Sequence, residues 1–144
     1  MILFGIKQVG TLMCVRLSDR DPSEVEWKDM IAGLERKLGE FERLVLWSAG
    51  GNFNTKRRRE IINLVNKGRF KGVLWSDTTA VRGAGTAIGW DTDGAVKGVA
   101  SLDKAREFLT MTDREVEMVQ AWLFGVADED SEVDRPAWRR RRPA

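Results

Sequence analysis

The chain has no histidine, no tyrosine, one cysteine and three prolines among 144 residues. Each shortage removes a class of chemistry. Without imidazole there is no Ser-His or Cys-His nucleophile pair and no histidine metal ligand. With Cys14 alone, an internal disulfide and a cysteine zinc cluster are excluded. No apolar run approaches the roughly 18 residues of a membrane-spanning helix. Met1 to Gly10 lacks both the basic start and the long apolar stretch of a secretion signal. Together these features lead to the expectation of a soluble, cytoplasmic, non-catalytic protein with no cofactor and no metal. An enzyme would have to work with Lys, Arg, Asp or Ser alone.

Excess charge is also missing. Lys plus Arg is 24 and Asp plus Glu is 22, so the net charge is only +2. The last residues, Val126 to Ala144, carry five acids (Asp128, Glu129, Asp130, Glu132, Asp134) and then five arginines (Arg135 and Arg139 to Arg142), with Pro136 and Pro143 between and after. This composition predicts a disordered acidic-then-basic tail. Its charges cancel, so the body, residues 1–125, is a single domain of small net charge and no general nucleic-acid platform. Nucleic acid is expected at most through the arginine-rich tail. Trp138 and the arginines beside it suit a membrane surface or an acidic protein equally, and the acidic stretch before them can compete within the chain.

What is present reads as an α/β fold. Met1 to Gln8 and Thr11 to Leu17 form a β-hairpin around Gly10, with Met13, Val15 and Leu17 on one face and Leu12, Cys14 and Arg16 on a half-polar one. Ser23 and Glu26 make a capping box for a helix reaching about Leu38, its stripe being Trp27, Ile31, Leu34 and Leu38. Leu44-Val45-Leu46-Trp47 reads as a strand covered on both faces. After a Gly/Asn loop, a helix capped by Asn54 or Thr55 runs to Gly68. Val73-Leu74-Trp75-Ser76 then echoes Val45-Leu46-Trp47-Ser48, and each is followed by a polar loop and a helix. Two such units predict parallel strands with right-handed crossovers. The third helix, about Ala80 to Ile88, is made of small residues. Each glycine costs it roughly 1 kcal/mol of propensity, so close packing on the sheet must hold it. A last strand (Ala95 to Ala100), a helix capped by Ser101 and a helix opened by the Thr112–Glu115 box complete a mixed sheet followed by βα units.

Three short motifs fail on their chemistry. Cys14 to Arg20 has phosphatase-loop spacing, but the five residues between contain no glycine to cradle a phosphate, and Cys14 sits in a strand. Gly83-Ala84-Gly85 starts like a dinucleotide fingerprint, yet the next glycine, Gly89, is one place late and all lie within the helix. Asp91-Thr92-Asp93-Gly94 resembles part of a calcium loop, but Gly89 and Ala100 would stand where oxygen ligands belong.

The strongest signal is Lys56-Arg57-Arg58-Arg59 in the first turn of the second helix. A helix start carries partial positive charge, so each cation there is unfavourable by about 0.3–1 kcal/mol. Either Glu60 and nearby acids offset this, or an external anion does: a phosphate, an acidic lipid head group or the carboxylates of a partner protein. The candidate contact residues are Gly50, Gly51, Asn52, Asn54, Thr55, Arg57 and Arg58. If the two loops lie side by side at the strand ends, Arg57, Thr78, Thr79 and Arg82 would line a cleft for a small anionic ligand, a lipid or a nucleotide. Of the six tryptophans, Trp27, Trp47, Trp75 and Trp122 fall on apolar faces, and Trp90 sits at a helix end as a groove or interface residue. An edge strand or an apolar groove would also permit a homodimer.

The order β-β-α-β-α-β-α-β-α resembles the STAS domain, in particular small bacterial STAS-like proteins related to the sporulation anti-anti-sigma factor, which are grouped with CRAL-TRIO-like domains. The residues that carry the resemblance are the hairpin, Pro22, Ser23 and Trp27, the run Leu44 to Gly51, Arg57 to Arg59, and Val81-Arg82-Gly83 through Trp90. It implies a regulatory protein-interaction domain, an anti-sigma-factor antagonist, switched by phosphorylation of a hydroxyl in the loop after the central strand. Here that loop reads Ser48-Ala49-Gly50-Gly51 in place of the family's Asp-Ser-Ser-Gly, which leaves Ser48 and Thr55 as candidate phosphorylation sites.

Overall fold

The structure, a computed structural model, describes residues 4–17 and 21–124. The tail expectation for 126–144, and Arg20 of the cysteine–arginine spacing, lie outside the described residues. The elements are β1 (Phe4–Val9), β2 (Leu12–Leu17), α1 (Glu24–Arg36), β3 (Arg43–Trp47), α2 (Thr55–Gly68), β4 (Lys71–Trp75), α3 (Thr79–Trp90), β5 (Val96–Val99), α4 (Leu102–Leu109) and α5 (Asp113–Phe124). The sheet order is β1-β2-β3-β4-β5, antiparallel for the first pair and parallel for the others. The α/β fold with its N-terminal hairpin and βα units is as the hydrophobic patterning required.

Because the strand order never reverses, crossovers of one hand put α1, α2 and α3 on the same face. Met13, Val15, Leu17, Leu44, Leu46 and Leu74 meet Trp27, Met30, Ile61, Leu64 and Ile88 there. The alternate residues Leu12, Cys14, Val45, Val73 and Val99 meet Leu109, Val119, Trp122 and Leu123 on the α4–α5 face. Period-two alternation sorts the strands between two cores.

The half-polar face expected of β2 is a correction: all six residues of β2 are buried. α5 covers that face, and Arg16 makes the burial tolerable. Its Nη1 donates to the carbonyls of Trp122 (3.5 Å) and Leu123 (3.2 Å), and its guanidinium lies 5.3 Å from the Trp122 ring centre. A cation at a helix C-terminus meets the negative end of the helix dipole. At the opposite edge, Arg43 grips Glu115 through two bonds of 2.8 and 2.6 Å. That hydrogen bonding holds the Glu115 carboxyl below its ordinary pKa and raises that of Arg43. Cys14 is buried, and burial together with Glu115 pushes its thiol up to about 12.

α3 spans Thr79–Trp90, longer at both ends than the patterning marked, and its glycines explain its placement. A Cβ at Gly85 would stand 2.8 Å from the Gly98 backbone, and one at Gly98 would stand 2.1 Å from the Arg82 carbonyl oxygen. The helix lies almost in backbone contact with β5.

Candidate functional site at the C-terminal edge of the sheet

β3 and β4 end side by side. Trp47 and Trp75 are register partners, the Ser48 N–H donates to the Trp75 carbonyl at 3.1 Å, and the Ser76 N–H donates to the Val99 carbonyl at 3.2 Å. Both serines are fully buried. Each folds its loop back on itself. Ser48 Oγ accepts from the N–H groups of Gly50 (3.3 Å) and Gly51 (2.9 Å), and Ser76 Oγ accepts from the Thr78 N–H at 3.0 Å. These hydroxyls satisfy donors that leave the sheet with no strand partner.

The loops then deliver two helix starts of the same construction. Asn54 caps α2 by accepting the Arg57 N–H at 2.9 Å, and Thr78 caps α3 by accepting the Val81 N–H at 3.4 Å. A threonine follows each cap, Thr55 and Thr79, and an arginine comes three residues later, Arg58 and Arg82. Arg58 Nη1 donates to the Phe53 carbonyl at 2.6 Å and Nη2 to Thr55 Oγ1 at 3.2 Å. Arg82 Nη1 donates to the Ser76 carbonyl at 2.9 Å and Nη2 to Thr79 Oγ1 at 3.5 Å. The four-residue echo therefore continues through a cap-Thr-x-x-Arg pattern, hidden in the sequence because one loop is longer than the other. Neither arginine forms an ion pair among the described residues.

Arg57 lies differently from its neighbours. It is only 4% exposed. Its Nη1 donates to Asp21 Oδ1 (2.8 Å) and the Asn52 carbonyl (3.0 Å), its Nη2 to the Pro22 carbonyl (2.7 Å), and its guanidinium stands 4.9 Å from the Trp27 ring centre. Asp21 Oδ1 also accepts the Asn52 N–H at 2.7 Å. Lys56 pairs with Glu24 at 3.3 Å. Part of the crowded positive charge is thus offset from within, by acids at the start of α1. Glu60 is otherwise engaged, accepting from Trp27 Nε1 at 3.0 Å. Arg57 is a buried tie between α1 and α2 and is turned away from any external anion.

A cleft of about 540 Å³ separates the β3–α2 loop from α3. Gly50, Gly51, Asn52, Phe53 and Arg58 line one side, and Ala80, Gly83, Ala84 and Ala87 the other. Arg58 is the one charged lining residue. Of the residues expected to line a cleft here, Arg57, Thr78, Thr79 and Arg82 are outside its walls. Asn54, Thr55, Thr78 and Thr79 instead build the helix starts. The two hydroxyls singled out for phosphorylation differ sharply: Ser48 is buried and Thr55 exposed.

Trp90 ends α3 with 80% of its surface exposed. With Phe108, Gly89, Val96 and Lys97 it borders a second, shallower groove of about 530 Å³. Among the described residues, no three or more His, Cys, Asp or Glu side chains gather as a metal site would require, and no helix is long and apolar enough to cross a membrane. Comparison with known proteins gives no family model, no curated protein and no solved structure that matches the chain.

Proposed function

We propose that this chain is a non-catalytic regulatory interaction domain, of the kind its resemblance to STAS-like anti-sigma-factor antagonists implies, which receives an acidic segment of a protein partner at the C-terminal edge of its sheet. One observation carries the reading: Arg58 and Arg82 are equivalent residues of adjacent units, each tethered to a backbone carbonyl and neither meeting a carboxylate among the described residues. A guanidinium has five N–H donors in a planar fork suited to carboxylate or phosphate. The tethers spend two of them and fix the side chain, so an incoming acid orders little that is not ordered already. Thr55 supports a switch: a phosphate there would put nearly two negative charges where Arg58 Nη2 now donates, and would withdraw that arginine from a partner.

A second reading takes the same cleft for a small anionic ligand, a lipid head group or a nucleotide, and the cleft volume suits it. One experiment separates them. Wild-type protein and the double variant Arg58→Glu/Arg82→Glu are captured from native cells, and bound protein and small molecules are identified by mass spectrometry. The interaction reading expects an acidic protein on the wild type and at least about a tenfold loss on the variant, with unchanged thermal unfolding. A nucleotide or lipid on the wild type alone would favour the second reading. Equal capture by both chains would defeat both.

A further inference from the structure

We infer that the outer edge of β5 receives an extended acidic segment of a partner protein as an added strand, with acids facing Lys97 and apolar side chains facing Trp90. The groove concerned shares no lining residue with the Arg58 cleft, so the inference goes beyond the reading above and stands or falls separately. Three observations lead to it.

The first is the course of the groove. β5 ends the sheet and pairs only with β4 among the described residues. The groove of about 530 Å³ beside it is bounded by Gly89 and Trp90 of α3, on one face of the sheet, and by Phe108 of α4, on the other. A space that touches helices on opposite faces must pass round the strand edge. The second is the backbone of β5. The carbonyls of Ala95 and Val99 accept the N–H groups of Gly72 and Ser76 at 2.9 and 3.2 Å. Successive residues of a ladder turn their polar groups to alternate sides, so the N–H groups of Val96 and Gly98 point away from β4. The same alternation sends the Val96 side chain to the α3 face and Lys97 to the α4 face. An added strand therefore shows its own side chains in turn to Trp90, 80% exposed, and to Lys97. The third is charge. Lys71 Nζ and Lys97 Nζ stand 4.8 and 6.0 Å from the Phe108 ring centre. Both lysines are exposed, and neither meets a carboxylate among the described residues. Asp93, the one acid lining the groove, stands at its turn end.

Charge decides the occupant. Both outer strands carry a lysine, Lys7 in β1 and Lys97 in β5. A second copy of this chain, joined through either edge, would bring lysine toward lysine, and like charges across a strand pair are destabilising. Edge lysines discourage self-pairing in just this way. An acid opposite Lys97 turns the same repulsion into attraction. Main-chain bonds then supply general affinity, and the alternate side chains supply selectivity.

The test titrates the isotope-labelled full chain with the synthetic peptide acetyl-Thr-Val-Glu-Val-Glu-Val-Thr-amide, and with its twin carrying Lys for Glu. The acidic peptide should shift the Val96 and Gly98 amide signals and the Trp90 indole N–H signal, and should slow hydrogen exchange at the two amides. The lysine peptide should bind at least about tenfold more weakly. Lys97→Glu, an exposed substitution, should reverse that preference, and Trp90→Ala should weaken both peptides about fivefold. Unchanged thermal unfolding shows that both variants fold. Arg58→Glu/Arg82→Glu should leave the titration as it is in the wild type, which keeps this edge separate from the cleft. No shift at Val96 and Gly98 up to about 1 mM acidic peptide, or equal binding of the two peptides, would overturn the inference and spare the proposed function. So would a dimer of the free chain that already protects those two amides and that the acidic peptide does not dissociate.

Discussion

The β3–α2 and β4–α3 units start from the same four residues and end with different neighbours. Both strands carry Val-Leu-Trp into the two cores and finish on a buried serine. Both helices open with a cap, a threonine and a tethered arginine. Beyond that point the helices diverge. α2 presents Ile61, Leu64 and Val65 to the core, whereas α3 presents Val81, Ala84, Gly85, Ile88 and Gly89. Large side chains hold α2 off the sheet, and glycines let α3 drop onto β5. The strand sets the loop chemistry, the helix sets the height above the sheet, and the cleft lies where a large-residue helix and a small-residue helix stand side by side.

The largest effect should come from taking away the close approach. Gly98→Ala would place a methyl 2.1 Å from the Arg82 carbonyl oxygen, against backbone that has nowhere to move. It should cost more than about 3 kcal/mol in urea unfolding, beyond the usual range for overpacking. Gly72→Ala in β4, where the nearest atom is at 3.5 Å, should stay within about 1 kcal/mol of wild type. Equal losses at the two positions would end the contrast in helix height.

The adjacent arginines of α2 provide the next test. Arg57→Met strips the partner from Asp21 and a filled space beside Trp27, and should cost about 2–4 kcal/mol. Arg58→Met, at a half-buried position where only the bonds to the Phe53 carbonyl and the Thr55 hydroxyl are lost, should cost less, about 0.5–1.5 kcal/mol. A reversed order would mean that the buried tie and the presented arginine have been confused.

At the N-terminal edge the same two strands begin with register partners, Arg43 and Lys71. Arg43 is clamped to Glu115, while Lys71 sits 4.8 Å from the Phe108 ring centre. Because Glu115 releases its proton more readily folded than unfolded, its contribution is complete above the unfolded value of 4.5 and is lost as pH falls through the lower folded value. Glu115→Gln should lower stability by about 1–3 kcal/mol at pH 7 and flatten the acid side of the stability profile. Lys71→Met should leave that acid-side slope unchanged. The smallest effect is a gain: Gly83→Ala, with open space around it, should add about 0.5–1 kcal/mol of helix propensity.

Much of this was legible from the residues alone. Alternation gave the sorting of Met13, Val15 and Leu17 from Leu12 and Cys14, and the Ser23–Glu26 and Thr112–Glu115 boxes marked helix starts that the hydrogen bonds reproduce. Small residues in α3 signalled contact at backbone distance. What stayed hidden needed three dimensions. Nothing local says that Arg57 turns inward and Arg58 outward, because Asp21 and Trp27, which decide it, lie 36 and 30 positions earlier. Arg16 reads as part of a half-polar strand face until Trp122 and Leu123 of α5, 106 and 107 positions later, are seen to cover it. The equivalence of Arg58 and Arg82 was readable in principle, by aligning the two helix caps instead of the two strands.

The return of α5 to β2 also fixes an order of events during synthesis. Each of the three crossovers adds a strand beside the one made just before, so the sheet can grow as the chain emerges. Leu12, Cys14 and Val45, however, await a cover that residues 113–124 supply last. A ribosome paused before Asp113 therefore holds a half-roofed sheet with an apolar face open to solvent, and nascent-chain length decides when that exposure to chaperones and aggregation ends.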